Sequence, residues 1–205
     1  MSFEKNVFIN CPFDLKFKKF LKPLIFTVCY LGLKPQLSET KDSGSIRINN
    51  ILNLIKESKY SIHDLSRAES KKINEKARFN MPFELGLDLG VREGGGELED
   101  KVCLILDSQK YRYQATLSDI AGSDICCYNN KPEELVRGVR NWFVSNFPKE
   151  KIPTGTTIWE NYNEFSYDFE LDLPKEGYKK KDIETMKHSE YTKFVKNWLS
   201  GRPTK

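Results

Sequence analysis

The stretch Lys101-Val-Cys-Leu-Ile-Leu-Asp107 sets an unbroken run of apolar residues between two charged ones. A strand that faces water on one side alternates apolar with polar residues. An unbroken apolar strand is buried on both faces, as in a parallel sheet covered by helices on either side. The two nearest upstream strand candidates have the same character: Tyr60-Ser-Ile-His-Asp64 and Asn6-Val-Phe-Ile-Asn10. Residues 33–37 and 124–128 supply two more. Helical spacing fills the gaps. Phe17, Phe20, Leu21, Leu24, Val28 and Leu31 recur at three and four residues and stop at Gly32. Pro23 inside that pattern predicts a kink or a break. Ile48, Ile51, Leu52 and Ile55 share a helix face behind a Ser45 cap. Asn80 reads as the cap of a third helix with Pro82 in its first turn. Leu135, Val139, Trp142 and Phe143 mark a fourth. Alternating strands and helices predict an α/β fold, a flavodoxin-like doubly wound parallel sheet of about five strands in the order 2-1-3-4-5.

This domain is expected over residues 1–150. Beyond it the rhythm changes. Phe165, Tyr167, Phe169, Leu171 and Leu173 alternate with other residues, which predicts a strand. Ile183, Met186, Phe194, Val195, Trp198 and Leu199 predict a closing helix. Residues 151–205 are thus expected as a C-terminal strand-plus-helix extension, packed on the domain or offered to a partner.

Composition narrows the function. Of 205 residues, 39% are hydrophobic and 30% charged, enough for a core and a solvated surface and unlike a disordered chain. No apolar run nears the ~20 residues of a spanning helix, and the first residues lack the pattern of a secretory signal. A cytoplasmic location without membrane contact is expected. The net charge of +4 is too small to predict direct nucleic-acid binding, yet it suits an anionic small ligand. Five cysteines without C-x-x-C spacing and only two histidines predict reduced thiols and no metal site.

Doubly wound sheets bind ligands outside the carboxyl ends of their strands, at the point where the strand order reverses. The predicted order puts that point between strands 1 and 3. Cys11, Phe13 and Asp14 follow strand 1, and Asp64, Ser66 and Arg67 close strand 3. Asp107 and Ser108 end strand 4, and Glu84 falls in the first turn of the helix opened by Asn80. There the helix dipole would favour an ionised carboxylate. A carboxylate beside a sugar C1′ stabilises an oxocarbenium-like transition state or attacks it. Glu84 also has a plainer reading, an ordinary helix-start residue facing water. Asp64 either binds ribose or caps its own loop, and Asp14 reads best as a helix cap. Arg47 and Arg78 are candidate phosphate contacts or surface ion pairs. His63, inside a strand, reads as a core histidine.

Val7-Phe-Ile-Asn-Cys-Pro-Phe-Asp14, Asp64-Leu-Ser66 and Asn80-Met-Pro-Phe-Glu-Leu-Gly86 together resemble the nucleoside 2-deoxyribosyltransferase-like proteins and the related TIR-like domains. The resemblance covers roughly residues 5–147 in element order and implies a flavodoxin-like sheet. It implies a catalytic Glu84 acting on an N-glycosidic bond, with Asp64 as a ribose-binding or orienting acid. Cys11, Phe13, Asp14, Arg47, Ser66, Arg78 and Asn80 would then contact substrate, Phe13 by stacking on the base. NAD would be a substrate and not a cofactor. The bulky Arg78-Phe79-Asn80 differs from the small Gly-Thr type approach of the transferases. NAD cleavage, nucleotide deglycosylation and base exchange all stay open. The resemblance further implies a homo-oligomer or an assembly with a regulatory partner, and a role as an antiphage-defence effector. A non-catalytic nucleotide-sensing or assembly module is the alternative.

Overall fold

The computed structural model describes residues 3–39, 46–68, 79–115, 117–147 and 151–201. Five parallel strands form the sheet: β1 (Asn6–Asn10), β2 (Lys34–Leu37), β3 (Tyr60–Asp64), β4 (Val102–Asp107) and β5 (Cys126–Cys127). Their order is β2-β1-β3-β4-β5, a flavodoxin-like arrangement. β1 and β3 are buried along their whole length, as their apolar composition requires. Register aligns their exits: Asn10 pairs with His63, Asp64 with Leu106, and Asp107 with Cys127. Asn10, Asp64 and Asp107 therefore share one edge of the sheet.

Helix α1 (Lys18–Tyr30) occupies the centre of one face. Eight residues from Leu21 to Cys29 are buried along with Phe20, so α1 is enclosed nearly all round. It runs through Pro23 without interruption. Burial on every side outweighs the ~3 kcal/mol that an interior proline costs, and the Thr27 hydroxyl donates to the Pro23 carbonyl at 2.8 Å. Gly32, with φ +74°, ends the helix. Gly32 N–H donates to Cys29 O and Leu33 N–H to Val28 O, the paired bonds of a Schellman cap that only a left-handed residue permits.

Helices α2 (Arg47–Lys56) and α3 (Asn80–Glu93) cover the opposite face. Ile51 and Ile55 of α2 meet Phe8 there, while Met81 and Leu85 of α3 join Leu65 and Ile105. Ile46 occupies the cap position of α2 in extended conformation, and the expected Ser45 cap lies outside the described residues. α3 differs from expectation at its start. Phe79 is already helical and Asn80 is the first residue of the helix, exposed and not a cap.

The C-terminal part contains helices where a strand was expected. α4 (Pro132–Asn146) is followed by α5 (Gly155–Asp172), α6 (Lys180–Thr185) and α7 (His188–Ser200). The period-two pattern at 165–173 misled because positions 165, 169 and 173 fit both a strand face and a helix face. Ile158 and Tyr162 extend the buried set at helical spacing, while Tyr167 and Leu171 are exposed. The predicted closing helix is two helices, α6 and α7. Phe26 of α1 stacks on Phe165 and meets Trp198 edge-on, so α5 and α7 complete the core on the α1 face.

Gly138 of α4 tests how closely that face is packed. A Cβ there would run into the Cys126 thiol. Gly138→Ala should lower the unfolding temperature, although alanine favours helices by about 1 kcal/mol. Adding Cys126→Ala should restore it. A stabilised single variant would show that α4 and β5 are packed loosely.

Candidate functional site

The site builds up from the exit of β1. The Asn10 carboxamide donates to the Met81 carbonyl in the first turn of α3, at 2.9 Å, and lies 2.9 Å from His63 Nδ1. A backbone carbonyl only accepts, so the Asn10 nitrogen faces both partners and His63 Nδ1 must accept. The ring proton then sits on Nε2, which donates to Asp88 at 2.9 Å. The other Asp88 oxygen lies 3.2 Å from the Lys101 ammonium, which also donates to the Ile55 and Ser58 carbonyls. His63, Asp88 and Lys101 are all buried. This chain fastens α3 to β1, β3 and β4. Cys103 brings a thiol to within 4.8 Å of the His63 and Asp88 donor atoms, a set of metal-ligand type. The lysine already balances Asp88 there, so the group is electrically complete without an ion.

Glu84 lies one turn beyond Met81 on the fastened helix and is 6% exposed. It stands in the second turn of α3, not the first, and its environment reverses the expected one. Burial raises its pKa, and the Arg47 guanidinium opposes that rise. Glu84 is thus a partly dried carboxyl whose anion is steadied by a cation at the start of α2.

Asp64 ends β3 and is fully buried. Burial pushes its pKa to about 6, against hydrogen bonds from the Ser66 hydroxyl, the Ser66 N–H and the Tyr128 hydroxyl. Cys11 connects the two acids. Burial holds its thiol well above the ordinary range, and Asp64, Glu84 and Asp14 push it further. The Cys11 sulfur is therefore a neutral wall of the site and not a nucleophile.

Asp64 and Glu84 thus both act electrostatically on Cys11, and Arg47 acts on Glu84, near the switch between β1 and β3. Ser66 is committed to Asp64. Asp14 accepts from Phe17 N–H at 3.1 Å and lies 3.8 Å from Arg67, closing the turn into α1. Phe13 packs on the His188 ring, with centroids 5.1 Å apart, so its face is shared with the start of α7. Asn80 stands on the exposed start of α3, and Arg78 lies outside the described residues. Asp107 belongs to the same edge. It is bound by Arg112 and by the Gln109 N–H at 3.3 Å, with burial raising its pKa and Arg112 lowering it.

Sequence reasoning overlooked Asp88, Lys101 and Tyr128. A signal for Asp88 was present. Glu84 and Asp88 are four residues apart, on the face that Met81 and Leu85 bury. Two acids on an apolar helix face must be satisfied by something in the core. Lys101 and Tyr128 act through tertiary contacts that no spacing announces.

No family model and no curated protein matches the chain. Fold and site together define a doubly wound α/β protein with a pair of buried acids at the switch point of its sheet.

The raised pKa of Asp64 has a thermodynamic consequence. The folded protein holds this proton more tightly than the unfolded chain does, moving from an ordinary 3.8 to about 6. Ionised Asp64 therefore costs stability, fully above the folded pKa and not at all below the unfolded one. The cost is on the order of 3 kcal/mol. Asp64→Asn should raise the unfolding temperature at about pH 8, and the gain should fade as pH drops from about 6 towards 4. A wild type more stable than Asp64→Asn at about pH 8 would contradict the assigned burial.

Proposed function

We propose that the chain cleaves or transfers an N-glycosidic bond of NAD or a related nucleotide or nucleoside, with the Glu84 carboxylate at the anomeric carbon. The supporting observation is the setting of Glu84: a buried carboxyl whose pKa burial raises and the Arg47 guanidinium opposes, near a second buried acid that also acts on Cys11. Drying a carboxylate raises its nucleophilicity and strengthens its attraction for the positive charge that develops at C1′. Asp64 is buried and held by Ser66 and Tyr128, which suits the role of an orienting acid behind the site. A retaining course would pass through a glycosyl ester on Glu84, opened by water or by an acceptor base. Electrons balance without a redox partner: the C1′–N bond breaks towards the leaving base, and the carboxylate supplies the pair for the new C1′–O bond. No metal is invoked in this course.

A second reading keeps the ligand and drops the turnover. Ile46, Phe79 and Phe83 are 66%, 71% and 58% exposed, and they lie at the starts of α2 and α3, the elements that carry Arg47 and Glu84. Such apolar surface beside a ligand site suits an assembly module.

Chromatographic assay of free base separates the two. Wild type should release base from NAD or from one member of a nucleoside and nucleotide panel, and Glu84→Gln should lose at least about a thousandfold in rate with the fold retained. Turnover that survives in Glu84→Gln would remove Glu84 from the chemistry. Ligand-dependent assembly without product, equal in both proteins, would establish the second reading.

The pH profile gives an independent check. Catalysis requires ionised Glu84, so kcat should fall on the acid side at a pH above the ordinary glutamate range. Arg47 lowers that pKa. Arg47→Gln should therefore move the acid limb to higher pH. An unmoved limb would place the titrating group elsewhere.

A further inference from the structure

A cleft of about 440 Å³ opens at the same carboxyl edge of the sheet, on the α1 side. Its position is set by the chain turns that leave β1, β3, β4 and β5. Its rim carries three cations: Lys16 and Lys19 from the approach to α1 and its first turn, and Arg67 from the exit of β3. Among the described residues lining it there is no carboxylate. Ser108 and Asn130 add a hydroxyl and a carboxamide from the exits of β4 and β5.

These cations are placed to receive a charge from outside the chain. Among the described residues, no carboxylate pairs with Lys16 or Lys19. The Lys19 ammonium instead sits 4.9 Å from the centre of the Phe20 ring, which lines the cleft too. Arg67 has Asp14 at 3.8 Å, beyond hydrogen-bond distance, and no other carboxylate pairs with it among the described residues. At the far rim, Asn129 and Asn130 both adopt left-handed backbone, with φ of 49° and 56°. Two such residues in succession cost the fold stability. They turn the chain so that Asn130 borders the cleft.

The floor is different in kind. Phe17, Phe20 and Tyr128 present aromatic carbon, and Tyr128 and Ser66 separate the cleft from Asp64. A volume of this size exceeds what a bare inorganic anion fills and falls in the range of sites for small organic ligands. Three cations match a dianion, and planar guanidinium with flexible ammonium groups is the donor set that phosphate oxygens take.

We propose that this cleft is a binding site for a phosphate group carried on a small organic molecule. The phosphate meets Lys16, Lys19 and Arg67, and the carbon portion lies on the aromatic floor. The site uses side chains other than Glu84 and Arg47, so it stands whether or not Glu84 performs chemistry.

Titration calorimetry on the full chain tests this with three probes: inorganic phosphate, adenosine 5′-monophosphate and adenosine. The monophosphate should bind at least about tenfold tighter than adenosine, and its affinity should fall as salt rises. Arg67→Gln and Lys19→Ala should each weaken it by about tenfold. Both substituted residues reach solvent, so the variants should fold, and circular dichroism checks that they do. Inorganic phosphate binding as tightly as the monophosphate, with the same losses in the cleft variants, would keep the phosphate site and make the free anion its ligand. Equal affinity for adenosine and its monophosphate, or phosphate binding untouched by both cleft variants, would overturn the assignment. Base release governed by Glu84 with no effect of Arg67→Gln on phosphate binding would leave the catalytic proposal standing and remove this one.

Discussion

The two hydrogen bonds that the Asn10 carboxamide makes to His63 and to the Met81 carbonyl join three elements at one point. β1 supplies the asparagine, β3 the histidine, and α3 the carbonyl. The bonds are directional, so they fix α3 in rotation as well as distance. Apolar packing alone would hold the helix against the sheet but tolerate small turns about its axis. Glu84 sits less than one turn from Met81, and its position at the sheet edge inherits this precision. Behind the asparagine, His63 and Asp88 continue the chain to the buried ammonium of Lys101. Removing one partner of such a buried pair costs about 3–5 kcal/mol, because the other charge is left without compensation. The arrangement is thus expensive to build and expensive to break.

Next to this charge-paired network lie groups whose burial is not fully repaid. Asp64, Glu84 and Asp107 all have pKa values raised by burial. Their neighbours are few and specific: Ser66 and Tyr128 on Asp64, Arg47 near Glu84, Arg112 on Asp107. A fold selected for stability alone would leave such acids in water or replace them with apolar groups. Their gathering at one edge of a doubly wound sheet is what makes that edge the candidate site. Asp88 stands in contrast: the histidine and lysine pull its pKa down, whereas burial pushes that of Asp64 up.

Much of this was legible in the sequence, and the reasons are specific. Val102 to Leu106 had to be a strand buried on both sides, and the positions of the other strands followed from chain order and crossover handedness. Exits of parallel strands gather at one edge, so Asp64, Cys11 and Asp107 could be placed together without coordinates. The strand expected at 165–173 failed for a geometric reason, since residues four apart satisfy both the strand and the helix period. Ile158 and Tyr162, just upstream, carried the deciding information. The start of α3 failed because the Asn80 side chain promised a cap that the backbone does not use. Glu84 therefore stands in the second turn, and its pKa is raised because packing buries it, a tertiary effect that its place in the helix did not announce. Lys101, Tyr128 and the basic cleft depend on which surfaces face each other after folding, and local pattern holds no record of that.

The C-terminal helices bear on the site through their ends. Glu39, just beyond β2, accepts hydrogen bonds from the His188 and Ser189 N–H groups at the start of α7. A carboxylate there satisfies backbone donors and the positive end of the helix dipole, and these bonds hold its pKa low against burial. The same first turn delivers His188 onto Phe13. An aromatic at the β1 exit, which would otherwise offer an open face to a planar ligand, is thereby engaged by a segment far along the chain. Meanwhile α5 and α7 enclose α1, whose first turn carries Lys19 to the basic cleft. The helices after residue 150 therefore set both walls of the sheet edge, the Phe13 wall directly and the cleft wall through α1. The surroundings of Glu84 and of the cleft are thus both positioned by the whole chain.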